Sequence, residues 1–237
     1  MARGFFVTGT DTGVGKTTFA VALIHALRQR GLNVAAMKPV AAGCEWIEGQ
    51  LMNDDVLALS AAANVKADSQ LINPYAFIPS IAPHIAAARA GVAIDLDKIM
   101  SAYTALATQS DVVVVEGVGG FRVPLGAHLD TADMARVLDL PIILVVGVRL
   151  GCLNHALLTA EAIEHRGLKW AGWVANILEP NMDALDENIA ELEMRLPSPC
   201  LGRMSRSHTL ITDTVAAYSM QWLNLPTALA EPSAHQY

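Results

Sequence analysis

The residues best suited to chemistry begin in one loop. Gly4 to Thr18 reads G-F-F-V-T-G-T-D-T-G-V-G-K-T-T: an apolar run suited to a buried strand, a Gly/Thr/Asp turn, and a helix opening at Gly15-Lys16-Thr17. Glycines there let backbone N–H groups point at an anion, and the helix N-terminus adds partial positive charge. Lys16 can neutralise phosphate oxygens, and the Thr17 hydroxyl can ligate Mg²⁺. The expected ligand is a nucleoside triphosphate. The strict spacing G-x4-G-K-[ST] would put glycine at position 10, where Thr10 stands. Gly9 precedes it, so this cradle is a one-residue-longer variant.

Other side chains join it only if the fold brings them near. Asp111 to Gly120 reads D-V-V-V-V-E-G-V-G-G, four valines for a strand covered on both faces and then Glu116 at its end. P-loop proteins place a magnesium-holding acid at such a position. Lys38 ends the strand-like run L-N-V-A-A-M-K-P-V and is either a solvated side chain or, since ligands of parallel sheets collect at strand carboxyl ends, a site residue. In Asn53-Asp54-Asp55, Asn53 or Asp54 could cap the following helix, and Asp55 becomes a ligand only beside a metal-bound triphosphate. Asn176 ends another strand, as a turn former or as a reader of a nucleobase edge.

The elements that must position these groups alternate between strand and helix along the whole chain. A helix from Thr17 to Arg30 stops at Gly31, and a second strand runs from Leu32 to Val40. Gly43 to Met52 reads as a surface loop, Val56 to Ala63 as a helix, and the proline-rich Asn73 to His84 as an irregular, functional connection. Helices follow at Ile85–Ala90, Asp95–Thr108, Thr131–Leu138, Ala156–His165 and Asp183–Leu196. Strands are expected at Pro141–Val148, Lys169–Ile177 and Pro199–Gly202. A last helix over Thr212–Leu223 and a flexible tail, 226–237, complete the reading. The pattern predicts an α/β fold, a mostly parallel P-loop-type sheet with helices on both faces, in one domain, 1–225.

Bulk properties narrow the partners. Of 237 residues, 53% are hydrophobic, enough for a core, and the net charge of −7 with no Lys/Arg cluster argues against nucleic acid. Cys44, Cys152 and Cys200 are odd in number and far apart, as expected of free thiols in a reducing cytosol rather than a zinc site. No apolar stretch approaches the roughly 20 residues of a membrane span, and no signal-peptide pattern opens the chain. A cytoplasmic protein with a small-molecule ligand is expected.

G-T-D-T-G-V-G-K-T-T at 9–18, M-K-P-V-A at 37–41, N-P-Y-A-F at 73–77, A-P-H-I at 82–85, V-E-G-V-G-G at 115–120, V-G-V-R-L-G-C-L-N-H-A at 146–156 and A-G-W-V-A-N at 171–176 together resemble the dethiobiotin synthetase family. The likeness runs in order from about residue 4 to about residue 202. It implies an ATP-dependent carboxylation of 7,8-diaminononanoate with CO₂: a carbamate forms, its oxygen attacks the γ-phosphate, and the second amine displaces phosphate from the mixed anhydride as the ureido ring closes. By matching residues, Lys16 and Lys38 flank the carbamate and γ-phosphate, while Thr17, Asp55 and Glu116 hold Mg²⁺. Asp55 fits the family spacing to Leu57-Ala58-Leu59 better than Asp54. Thr12, Gly13, Val14, Gly15, Lys16, Thr17 and Thr18, with Gly117, Val118 and Gly119, surround the phosphates, and Asn176 meets adenine, with Ser205 on the base side. Ala42 stands near the substrate, and the family's homodimer offers the loop matching Leu150, Gly151 and Asn154 to the substrate carboxylate across the subunit boundary.

Three departures bear on affinity more than on reaction type. Ala42 stands where the family often has serine, Asn188 where it has tyrosine, and R-M-S-R-S-H follows Gly202 in place of an Ile-Pro turn. Rival readings are weaker. A ParA/MinD-like ATPase switch needs a lysine early in the cradle, where Asp11 stands, and a cobyrinic-acid amidating ligase needs a glutaminase domain for which 237 residues leave no room. A nucleotide-binding homologue without turnover would not need both Lys16 and Lys38.

Overall fold

A computed structural model describes residues 4–205; the expected helix over Thr212–Leu223, the tail and the domain limit at 225 lie outside the described residues. In chain order the elements are β1 (Gly4–Gly9), α1 (Lys16–Gln29), β2 (Val34–Met37), β3 (Val40–Ala42), β4 (Glu45–Ile47), β5 (Gln50–Met52), α2 (Asp54–Ala62), α3 (Ser69–Ile72) and β6 (Tyr75–Phe77). There follow α4 (Pro83–Arg89), α5 (Leu96–Ala107), β7 (Val112–Glu116), α6 (Thr131–Leu138), β8 (Ile142–Val148), α7 (Cys152–His165), β9 (Trp170–Ile177), α8 (Leu185–Arg195) and β10 (Cys200–Ser205).

Six strands form one sheet in the order β10-β9-β8-β1-β7-β2, every pair parallel. Parallel strands need crossovers, and the helices supplying them cover both faces. Phe5, Val7, Val114, Ile143 and Val145 pack against Phe19, Leu23, Ile24 and Leu27 of α1. Residues of opposite parity, Phe6, Val113, Val115 and Ile142, face Ile99 and Leu106 of α5 and Met134 and Leu138 of α6. Farther along that face Leu144, Val146 and Trp173 meet Ile189 and Leu192 of α8. Each fully buried side chain of this size contributes about 1.5–3 kcal/mol, so the sheet is a stiff platform for whatever its rim carries.

The structure corrects several sequence expectations. The run Leu32–Val40 is not one strand: β2 stops at Met37, Pro39 offers no N–H, and β3 leaves to pair with β6 in a separate two-stranded sheet. Gly43–Met52 is not an open loop but contains the β4–β5 hairpin, turned at Glu48 (φ 49°) and Gly49 (φ 80°), the geometry of a two-residue hairpin. The stretch 73–84 contains β6 and the start of α4. Helix α7 begins at Cys152 rather than Ala156, so Asn154 is helical.

Candidate functional site

Because all six strands run the same way, their carboxyl ends share one rim, and the neighbours β1, β7 and β2 deliver the cradle, Glu116 and Lys38 side by side. Gly15 ends the cradle as the cap of α1 with φ 91°, a conformation that favours glycine. A Cβ there would lie 2.2 Å from Asn176 Nδ2. That amide is buried and donates to Val14 O at 2.8 Å, so β9 braces the cradle directly. Thr12 and Gly13 are exposed at the mouth, and Gly119 lies against Thr12, its missing Cβ 3.5 Å from Thr12 Oγ1.

The charged groups are tightly joined. Lys38, only 4% exposed, places Nζ 2.5 Å from Glu116 Oε1 and 2.6 Å from Asp55 Oδ2. Thr17 Oγ1 lies 2.8 Å from Asp55 Oδ1 and 3.0 Å from Glu116 Oε1, and its one proton serves one of them at a time. Lys16 Nζ donates to Asp11 O at 2.9 Å. Asn53 caps α2 by accepting from Asp55 N at 3.0 Å, which aims Asp55 at the cluster and leaves Asp54 exposed.

Burial sets the electrostatics. It lowers the Lys16 ammonium from 10.5 to about 8, with Glu116 opposing and Lys38 reinforcing the shift. Burial acts on Lys38 in the same sense, but Glu116 and Asp55 outweigh it and hold Lys38 above its ordinary value. Burial disfavours ionised Asp55, yet Lys38 and Thr17 keep it below the usual carboxylate range. Glu116 is pushed up by burial against the pull of Lys38.

The donor set suits a hard cation. Two carboxylates and a hydroxyl are oxygen ligands of the kind Mg²⁺ takes, and buried Glu116 Oε2 has no hydrogen-bond partner, an orphan that a cation would satisfy. Among the described residues no three His, Cys, Asp or Glu side chains gather as a metal cage.

The remaining expected residues lie on the same rim but outside this cluster. Ala42 is half-buried in β3, its carbonyl accepting from Asn53 Nδ2 at 3.2 Å. Leu150, 87% exposed, Gly151 and Asn154 stand at the β8–α7 junction. Ser205 ends β10 opposite Ile177, next to Asn176. Asn188 donates to Ala184 O within α8 at 2.7 Å.

Sequence reasoning missed two contributors. Asn73 Nδ2 donates to Lys38 O at 2.6 Å and Tyr75 O at 3.2 Å, clamping the bend that presents Lys38; an Asn-Pro pair opening a long connection was its only signal. Arg149 donates from a terminal guanidinium nitrogen to Asp11 Oδ2 at 2.8 Å, a pair separated by 138 residues and invisible in one dimension.

Known proteins resemble the chain in sequence and in fold. A family profile described as an AAA domain matches residues 3–229. The chain is similar to the ATP-dependent dethiobiotin synthetase BioD of Aromatoleum aromaticum, at 54% identity over 200 residues, 84% of this chain and 89% of that protein. It is similar to the protein of the same name from Pseudomonas aeruginosa, at 52% over 215 residues, 90% and 94% of the two chains. Among solved structures it resembles a ParA family ATPase from Chlorobium tepidum, with TM-score 0.55, 17% identity and 92% and 98% coverage. The septum site-determining protein MinD of Pyrococcus horikoshii, complexed with Mg-ADP, gives 0.52, 14%, 99% and 90%. At such identities these two establish the fold alone.

Proposed function

The chain belongs to the ATP-dependent dethiobiotin synthetase family and makes dethiobiotin for biotin biosynthesis as an ATP-dependent ligase, and we propose that the reaction runs where Lys16, Lys38, Thr17, Asp55 and Glu116 converge. The observation carrying this reading is the buried Lys38 ammonium between two carboxylates, one of which has an unpartnered oxygen, beside an anion cradle.

In this reading the residues Thr12–Thr18 and Gly117–Gly119 bind the triphosphate of ATP, and Lys16 exchanges the carbonyl of Asp11 for a phosphate oxygen. Thr17, Asp55 and Glu116 hold Mg²⁺, which when bound offsets the charge on the phosphate oxygens. Lys38 trades a carboxylate for the carbamate of 7,8-diaminononanoate formed with CO₂, holding that nucleophile near the γ-phosphate. Attack, release of ADP and ring closure by the second amine then depend on positioning and on two ammonium groups aimed at crowded oxyanions. Asn176, its Nδ2 committed to Val14, leaves Oδ1 to accept from adenine, with Ser205 beside it. Ala42 lines the substrate side, and Leu150, Gly151 and Asn154 serve the diamine carboxylate of a neighbouring subunit in a homodimer; Leu150 standing 87% exposed supports that placement.

Residues 1–225 act as one domain in the cytoplasm in this reading. Three unpaired thiols support the location, and no helix among the described residues is long and apolar enough to cross a membrane. Incubating the protein with ATP, Mg²⁺, bicarbonate and 7,8-diaminononanoate should yield dethiobiotin by mass spectrometry. The Lys38→Ala variant should yield almost none; undiminished product from that variant would take Lys38 out of the mechanism.

A further inference from the structure

Asp11 occupies a cradle position that the phosphate-binding pattern leaves open, yet both its carboxylate oxygens and its carbonyl are engaged. Oδ2 takes the Arg149 guanidinium at 2.8 Å, Oδ1 takes its neighbour Thr12 N at 2.7 Å, and the backbone oxygen takes Lys16 Nζ at 2.9 Å. Arg149 leads from the end of β8 into Leu150, Gly151 and Asn154. Two further contacts join the same segments: Gly147 N donates to Thr10 Oγ1 at 3.3 Å, and a Cβ on Gly147 would lie 2.8 Å from Val14 Cγ1. The cradle is therefore joined backbone to side chain to the end of β8, and to the β8–α7 junction by the one Asp11–Arg149 ion pair at the mouth.

We infer that Asp11 and Arg149 are a positioning pair that couples the nucleotide site of one protomer to the diamine-carboxylate site that the same protomer's junction completes in its partner, so that each ligand tightens the binding of the other. This rests on the dethiobiotin synthetase reading for the identity of the two ligands. The physical route is short. Seating phosphates fixes the loop that carries Asp11, Asp11 fixes Arg149, and Arg149 fixes the turn whose next residue is the exposed Leu150. Ordering that turn once serves both ligands, which is positive coupling. The pair is half-exposed, 41% and 45%, so solvent screens it and the coupling is small, about three- to fivefold. Coupling must also be reciprocal.

Calorimetry of the full chain tests this with a non-hydrolysable ATP analogue, Mg²⁺ and 7,8-diaminononanoate. In the wild type, saturating diamine should lower the analogue's Kd about three- to fivefold, and raising salt from about 0.05 to about 0.5 M should erode the factor. In Asp11→Asn and Arg149→Gln the factor should fall to about one and lose its salt dependence. Each ligand alone should still bind within about twofold, and Arg149→Lys should keep part of the coupling. Unchanged melting temperatures would show that folding is not at issue. A wild-type factor of one, or full coupling in Asp11→Asn, overturns the inference. So does a tenfold loss of analogue affinity without diamine in Arg149→Gln alone, which would make the guanidinium a phosphate ligand. If the wild type forms dethiobiotin but shows no coupling, only the pair's role falls; if it binds no diamine, the functional reading falls with it.

Discussion

Lys38 already gives two of its three N–H donors to Asp55 and Glu116, so that ammonium sets the energetics of the site. Removing it in Lys38→Ala leaves Glu116, 1% exposed, without its counter-charge, and breaking a buried pair in this way costs about 3–5 kcal/mol. The variant should therefore melt well below the wild type in chelator and recover more than the wild type when Mg²⁺ is added, a comparison read by thermal denaturation. Its nucleotide affinity should survive, whereas kcat should fall about 10²–10³-fold, the scale of losing one donor aimed at developing charge. Lys16 gives a pH signature. Its folded value of about 8 lies below the 10.5 of an unfolded lysine, so between those values the unfolded chain binds the extra proton. The penalty for burying the ammonium is thus complete below about pH 8 and is relieved as pH rises towards 10.5. In metal-free buffer, the wild type should gain stability relative to Lys16→Met across that window by chemical denaturation; a flat difference would mean Lys16 keeps its proton. Lys16, Thr17 and Glu116 are legible in one dimension because one motif sets the first two side by side and a strand end sets the third at the rim. The Lys38–Asp55–Glu116 contact is not, because three separate segments must close on one point.

At the level of elements, the segments buried on two faces were legible and the ones half-exposed at the rim were not. Four consecutive valines admit little but a covered strand, and β7 is where they predict it. The hairpin β4–β5 is three residues a side with an exposed first strand, too short to show a period, and β6 hides between prolines because its backbone partner is β3 rather than the main sheet. Of these pieces, β4 and β5 carry the chain from β3 to the start of α2, where Asp55 meets Lys38. The β1–α1 junction offers a cleaner test of how elements hold one another. Gly15→Ala puts a methyl on a residue at φ 91° and into the Asn176 amide. It should cost about 2 kcal/mol or more and weaken nucleotide binding. Asn176→Ala removes the obstruction, so the double variant should lose less than the two single losses summed; simple additivity in a denaturation cycle would mean that only the backbone angle matters. Outside the charged cluster, Asp130 closes a capping box with Asp133 on α6 and pairs with Arg122 and Arg166. Asp130→Ala should lower stability by about 1–2 kcal/mol and Tm by a few degrees while leaving turnover per folded molecule intact.

Among the described residues, Leu150 is the most exposed of the large apolar side chains and stands at the rim near Asn154, with Leu158 farther along α7. In the homodimer proposed above, these outward-facing residues meet the carboxylate end of the diamine when a second copy supplies its own junction to the first copy's cradle. A twofold arrangement does this for both sites at once. Two variants then become complementary: Lys38→Ala spoils the site built on its own sheet, whereas Asn154→Asp sets a like charge beside the carboxylate in its partner's site. In a mixed pair, one site inherits both lesions and the other neither. Random reassortment of equal amounts makes about half of the dimers mixed, so about one quarter of all sites are intact. Two nearly inactive preparations, combined and allowed to exchange, should thus recover about a quarter of wild-type dethiobiotin formation, and size-exclusion chromatography should show a dimer throughout. Recovery absent despite proven exchange would put the junction and the cradle of one site on the same protomer.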